Sequence, residues 1–158
     1  GNVTNTNPGT QSYRLISPAP LDVANVIYNP VNQQKYKISA TVRYASSSKD
    51  FGFMIGACDG YNNFYSLRFV PGQNRFSFDK TPHGSITTTT VASNDVPFPM
   101  SPNTDYFVEI VVENSMVVVY INNVAALSCR IYKAQTTSWG IFSDNSDATF
   151  SNITVKYP

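Results

Sequence analysis

The chain predicts an all-β fold, a two-sheet antiparallel β-sandwich. Three observations lead there. Strand-length segments alternate with turn signals almost from end to end. No window of helical length keeps a 3.6-residue apolar period. The segments number about a dozen, and one open sheet of that width would curl or split into two packed layers.

The opening, residues 1–11, is polar, turn-rich and without periodicity, and reads as a linker or boundary following an upstream segment. A single sandwich domain is expected over 12–158, a length and 42% apolar content that can bury a real core. Early strands fall near "YRLIS" and "NVIYN". In "YKISATVRYA", Tyr36, Ile38, Ala40, Val42 and Tyr44 point one way and Lys37, Ser39, Thr41 and Arg43 the other, as in a strand with one buried face. Further strands follow at "FGFMIGA", "FYSLRFV", "RFSFDK", "ITTTTVA", "YFVEIVVE", "MVVVYIN", "AALSCRIY", "SWGIF" and "TFSNITVKY". Turns such as "VPGQN", "ENS", "INN" and "SDNSD" separate them. In the last strand Phe150 is out of phase with Ile153 and Val155, which predicts a bulge near Asn152. The ribbon from Ser115 to Tyr132 is apolar on both faces, so both faces are expected to be covered.

Charge narrows the function. With 13% charged residues and a formal net charge of +1, the chain has no field for a nucleic-acid backbone and no basic patch for a membrane surface. Its longest apolar run is far too short to span a bilayer. Cys58 and Cys129 lack metal or redox spacing, and read as free thiols in preference to a disulfide.

Hydrolytic machinery is not visible. Glu109 and Glu113, the two glutamates, share one strand and one parity, roughly 13 Å apart at strand rise. A glycosidase pair instead faces across the bond at about 5 to 9.5 Å. His83 is the single histidine and lies in a loop with no nucleophile signature beside it. "ACDGYNN" and "SDNSD" are rich in oxygen donors suited to calcium, but neither has the spacing of a twelve-residue calcium loop, and both are ordinary turn compositions. No cofactor is expected.

Aromatics with amides are the stronger lead. Sugars offer C–H faces that stack on rings and hydroxyls that need planar donors and acceptors. "DGYNNFYSLRF" provides such a set in one short stretch. Tyr65, Leu67 and Phe69 share one face, and Phe64, Ser66 and Arg68 the other. If Tyr65 is core, Arg68 faces outward and can meet Asp79 or Arg75; that pair is either part of a ligand site or a plain cross-strand surface pair. The candidate ligand-binding residues are Asp59, Tyr61, Asn63, Tyr65, Arg68, Asp79 and Asp144. Trp139 alternates with Ile141 and is assigned to the core.

The segments "VEIVVENSMVVVYINNVAALSCRIY" and "WGIFSDNSDATFSNITVKY" resemble the β-sandwich modules attached to fructan-degrading enzymes of glycoside hydrolase family 32. The succession from "GFMIG" to "FSNITV", roughly Phe51 to Tyr157, is also similar to the levan-binding carbohydrate module, family 66. The N-D-P-N, R-D-P and E-C motifs of the family 32 catalytic propeller do not occur. The resemblance therefore implies a concanavalin-like jelly roll that is an accessory module and not an enzyme. Implied partners are a polysaccharide or oligosaccharide such as the fructans levan and inulin, and the catalytic domain of a parent chain; the implied location is secreted or at the cell surface. Positions that in the levan-binding module hold an Arg and a Trp correspond here to Ala57 and Asp144, so the site itself is read from this chain. The rival expectation is a structural sandwich that packs on a catalytic domain without binding sugar.

Overall fold

The structure is a computed structural model describing residues 1–19, 23–31, 34–58, 63–81, 89–95, 99–131 and 137–157. Among the described residues thirteen strands run in chain order: β1 (Asn2–Asn5), β2 (Tyr13–Ser17), β3 (Val23–Val31), β4 (Lys35–Tyr44), β5 (Asp50–Cys58), β6 (Asn63–Val70), β7 (Arg75–Thr81), β8 (Thr89–Asp95), β9 (Tyr106–Glu113), β10 (Met116–Ile121), β11 (Val124–Arg130), β12 (Thr137–Asp144) and β13 (Ser146–Lys156). They form a seven-stranded sheet, β1-β2-β13-β4-β9-β10-β11, and a six-stranded sheet, β3-β12-β5-β6-β7-β8. Every pairing is antiparallel. The two-layer sandwich is the predicted one.

One strand lies where sequence reading placed a linker. β1 pairs with β2 within residues 1–11, and all four of its side chains are exposed. An edge strand held only by backbone hydrogen bonds needs no apolar alternation, so its sequence carries no period to detect.

The inner faces meet in aromatic rungs. Phe51, Phe69 and Phe76 are register partners across β5, β6 and β7, with ring centroids 5.5 and 6.3 Å apart. Tyr44 on the opposite sheet joins the row at 5.2 Å, and Phe53 meets Phe150 edge-on at 5.4 Å. Trp139 is buried and stacks on Tyr28 at 4.3 Å, as a core residue should. Each fully buried ring of this kind stabilises the fold by about 1.5–3 kcal/mol.

Asparagine makes the corners. Asn122 and Asn123 are both left-handed (φ 49° and 65°), the geometry a two-residue β10–β11 hairpin requires. Asn152 (φ 51°) sits in the predicted bulge, where the β13–β4 register slips between Ser151 and Thr154 and brings Phe150 and Ile153 to the same core. The β10 ribbon departs from expectation: Val117, Val119 and Ile121 are buried, but Met116, Val118 and Tyr120 are only partly covered. Among the described residues the outer side of that sheet is open, so an apolar pattern on both faces did not mean burial on both. Cys129 is a half-buried free thiol, and burial raises it to about 11; the side chain of Cys58 lies outside the described residues.

Gly52 in β5 is a steric requirement. A Cβ there would run into the Leu67 carbonyl of β6, which is backbone and cannot give way. Gly52→Ala is expected to destabilise the domain by about 3 kcal/mol, the upper range for an overpacked core, measurable as a lowered midpoint in urea. An unchanged midpoint would show that the β5–β6 approach is looser than described.

Candidate functional site

The outward face of the six-stranded sheet carries polar and aromatic side chains from four neighbouring strands. Register aligns Phe142 (β12), Gly52 (β5), Arg68 (β6) and Ser77 (β7) in one row. In the next row Gly140, Met54, Ser66 and Asp79 are partners. Two strand spacings, about 9.6 Å, separate Phe142 from Arg68. The absence of a side chain at Gly52 lets the guanidinium lie across the gap, 5.0 Å from the Phe142 ring centroid.

Arg68 is held from both sides. Its Nη1 donates to Asp50 Oδ2 in a very close ion pair, its Nε donates to Ser66 Oγ at 3.1 Å, and Asp79 Oδ2 lies 3.4 Å from Nε. Ser66, Asp79 and Phe142 are buried, whereas the side chains of Arg68 and Asp50 keep 19% and 25% of their exposure and are the atoms a ligand can reach. Burial raises the Asp50 carboxyl to about 6. Arg68 opposes that shift, and Asp144 and Asp79 add to it by like-charge repulsion. The ion pair by itself would predict the opposite direction. Desolvation outweighs the ion pair because the one guanidinium is shared with Asp79, while Asp144 and Asp79 both repel the Asp50 charge.

The predicted site residues divide. Arg68 faces outward and meets Asp79, as expected for a core Tyr65. Tyr65 is a correction: it is 3% exposed, with its ring 5.8 Å from Phe78 and Lys80 Nζ over its face, so it packs in the core and cannot stack on a sugar. Asp144 is half-buried at the end of β12, opposite Asp50 in register. The backbone of Asn63 pairs with that of Cys58, and its side chain lies outside the described residues. Asp59 and Tyr61 lie outside the described residues, as does His83.

Asp50 and Phe142 were missed. The signal was present: with Phe51, Phe53 and Ile55 inward, Asp50, Gly52 and Met54 must share the face of Arg68, and with Trp139 and Ile141 inward, Phe142 must as well. A phenylalanine on the outward side, next to a glycine on the facing strand, marks the place. In "SDNSD" the side chains serve the turn: Ser146 Oγ accepts from the Lys49 and Asp50 amides at 2.8 Å each, and Asp147 takes a bidentate pair from Arg14 at 2.9 and 2.7 Å. Glu109 and Glu113 form outer-face ion pairs with Lys37 (3.0 Å) and Lys35 (3.1 Å); their strand β9 lies inside its sheet between β4 and β10, not at the exposed edge the sequence suggested.

Two open clefts of about 500 Å³ lie apart from this cluster. One runs past Lys35, Lys37 and Tyr157 at the end of the seven-stranded sheet, where two of its lysines are already neutralised by glutamates. The other is lined by Lys49 and Val70, beside Asp50 and on the same strand as Arg68.

The profile of the family described as GH32, BT1760-like, C-terminal domain matches residues 2–155. The chain belongs to this family. It is therefore a C-terminal accessory domain of the glycoside hydrolase family 32 type, not a catalytic one. Comparison with curated protein sequences gives no match. Among solved structures the domain is similar to the carbohydrate-binding module CBM66 from Bacillus subtilis (TM-score 0.72, 13% identity, covering 99% of this chain and 92% of that one). It also resembles the Caenorhabditis elegans galectin LEC-6 (TM-score 0.64, 11% identity, 87% and 93% covered). The fructosyltransferase from A. japonicus matches with a TM-score of 0.68 and 17% identity over all of this chain but 26% of its own length. At such identities these likenesses establish the jelly-roll sandwich fold. The GH32-type domain thus spans about a quarter of that enzyme.

Asp50 gives a pH signature. Its carboxyl takes up a proton more readily folded than unfolded, so its effect on stability is most favourable below pH 4 and is lost as pH rises through about 6. Asp50→Asn is expected to raise stability by about 1–3 kcal/mol at pH 7 and by almost nothing at pH 4. Thermal melts of both proteins across pH 4 to 8 check this; a constant offset would refute it.

Proposed function

We propose that this domain is a carbohydrate-binding module, appended to a secreted or cell-surface glycoside hydrolase, and that its ligand is fructan. The observation that carries the reading is Arg68, lying against Phe142 between Asp50 and Asp79 on a sheet face. A planar donor flanked by planar acceptors beside a ring is the chemistry that sugar hydroxyls require. Family membership and the likeness to a carbohydrate-binding module support it. Asp144, at the end of β12 opposite Asp50, is a further contributor, and Asp59, Tyr61 and Asn63 stay candidate ligand residues on the strength of the sequence. Each hydrogen bond nets about 1 kcal/mol against water, so a handful of them gives a dissociation constant of about a millimolar.

Isothermal titration with levan, inulin and unrelated neutral glycans tests the reading. Heat is expected with a fructan, and Arg68→Lys is expected to lose at least about tenfold in affinity because an ammonium keeps the charge but not the planar fork. No heat with any glycan at millimolar sites would sink the proposal.

One observation favours a second role. On the outer side of the seven-stranded sheet, Phe107 is 39% exposed, and Val111 and Val118 are cross-strand partners beside Met116, all partly exposed. Such a stripe suits packing against the catalytic domain of the parent chain. Phe107→Ser is then expected to lower the melting temperature of the intact enzyme by several degrees and that of the isolated domain hardly at all; equal shifts would remove the packing role.

A further inference from the structure

The cleft beside Asp50 has fixed walls and one unused group. Its turn at Pro71–Gln73 is closed by the Asn74 amide, which donates to the Pro71 carbonyl at 3.0 Å, and Asn74 Oδ1 accepts from the Met100 amide at 3.1 Å. On the other side the Asn103 amide donates to the Tyr44 carbonyl at 2.8 Å, and the Ser101 amide to Tyr106 Oη at 2.7 Å. Tyr44 lines the same space and is only 3% exposed, yet its hydroxyl makes no hydrogen bond among the described residues. That oxygen is not one of the shielded atoms, so it opens on the cleft. A tyrosine so deeply buried normally finds a partner for its hydroxyl.

The lining narrows the ligand. Val70, Pro71, Met100 and Pro102 form apolar walls, and no carboxylate is among the lining residues. Lys49 is exposed, so its charge is screened and holds an anion only weakly. Apolar walls beside a hydroxyl that both donates and accepts suit the C–H face and hydroxyls of a neutral sugar unit. The volume, about 500 Å³, is that of a small-ligand site. Position ties the cleft to the sheet-face cluster. The β5–β6 register pairs Phe51 with Phe69, which sets Val70 next to Asp50. Val70 also follows Arg68 by two residues on the same side of β6, about 7 Å along the strand.

We propose that this cleft is a second subsite for the same neutral glycan chain, holding sugar units beyond the one at Arg68, with Tyr44 Oη bonded to a ring hydroxyl and Val70 and Pro71 against a C–H face. The inference rests on the carbohydrate-binding reading and adds a site with residues of its own. Two adjoining subsites on one chain make the second contact intramolecular, so affinity rises with chain length. Tyr44→Phe is the informative replacement, since it removes a hydroxyl that no described residue uses and keeps the ring that packs on Phe51.

The test is an amide-resolved NMR titration of wild type and Tyr44→Phe with disaccharides and longer oligosaccharides of the inulin and levan series, and with oligogalacturonate; thermal melts confirm folding. Wild type is expected to bind the longer chains at least about tenfold more tightly than the disaccharide, with the Gly72 and Gln73 amides shifting for the longer chains alone. Tyr44→Phe is expected to keep the wild-type melting temperature and its disaccharide affinity, and to lose about fivefold on the longer chains, the worth of one hydrogen bond. The length series needs no variant, so the proposal stays exposed even if Tyr44→Phe misfolds. Affinity independent of chain length, a folded Tyr44→Phe with unchanged affinity for long chains, an equal loss on short and long chains, or oligogalacturonate bound more tightly than the neutral chain would each overturn this inference and leave carbohydrate binding intact. A wild type whose amides shift with no neutral glycan removes both readings.

Discussion

The structure depends on a knot of buried serines where the chain crosses between its two sheets. β4 and β13 belong to the seven-stranded sheet, and β5 and β12 to the six-stranded one, so the β4–β5 and β12–β13 connections both pass from layer to layer. The crossings lie side by side. Ser146 Oγ accepts from the Lys49 and Asp50 amides and lies 2.9 Å from the Asp50 and Asp144 carbonyls. Ser48 Oγ and the Asp147 backbone exchange bonds at 3.0 and 3.1 Å, and the Ser146 amide donates to Ser17 Oγ at 3.1 Å. These hydroxyls answer the backbone groups that a sheet-to-sheet crossing strips of ladder partners, which would otherwise be costly to bury.

The same knot sets the position of the charged cluster. Asp50 is the first residue of β5 and Asp144 the last of β12, so both carboxylates leave the backbone at points that Ser146 holds. From there Gly52 opens the floor, Phe142 supplies the ring and Arg68 reaches over it. Holding two carboxylates against one largely buried guanidinium is not how stability is gained, since desolvation commonly outweighs the Coulomb attraction of such groups. Strain of this kind gathers at functional sites, where conformity to folding rules gives way to recognition.

Much of the fold could be read from residue order. β4 and β9 alternate so cleanly that their buried residues follow from parity, and the Asn152 bulge follows from Phe150 and Ile153 being out of step. β1 could not be read, because nothing in its side chains records a backbone pairing. The site was half legible. Arg68 and Asp79 were found through one hairpin's register, but Asp50 and Phe142 depend on β5 lying between β6 and β12, which no local pattern states. Tyr65 misled because an aromatic beside amides looks alike whether it faces a ligand or a core, and strand parity alone separated the two.

Sheet order also sets when the domain can form. β13 is the last strand along the chain and yet lies inside its sheet, between β2 and β4, with Arg14 and Asp147 joined across 133 residues. Until β13 is in place, β2 and β4 each lack the neighbour that completes their ladders. Closing so long a loop must precede any reward from the contacts it makes, which slows assembly. Until β13 pairs, the facing edges of β2 and β4 stay open, and folding of the domain waits on that strand as the keystone between them.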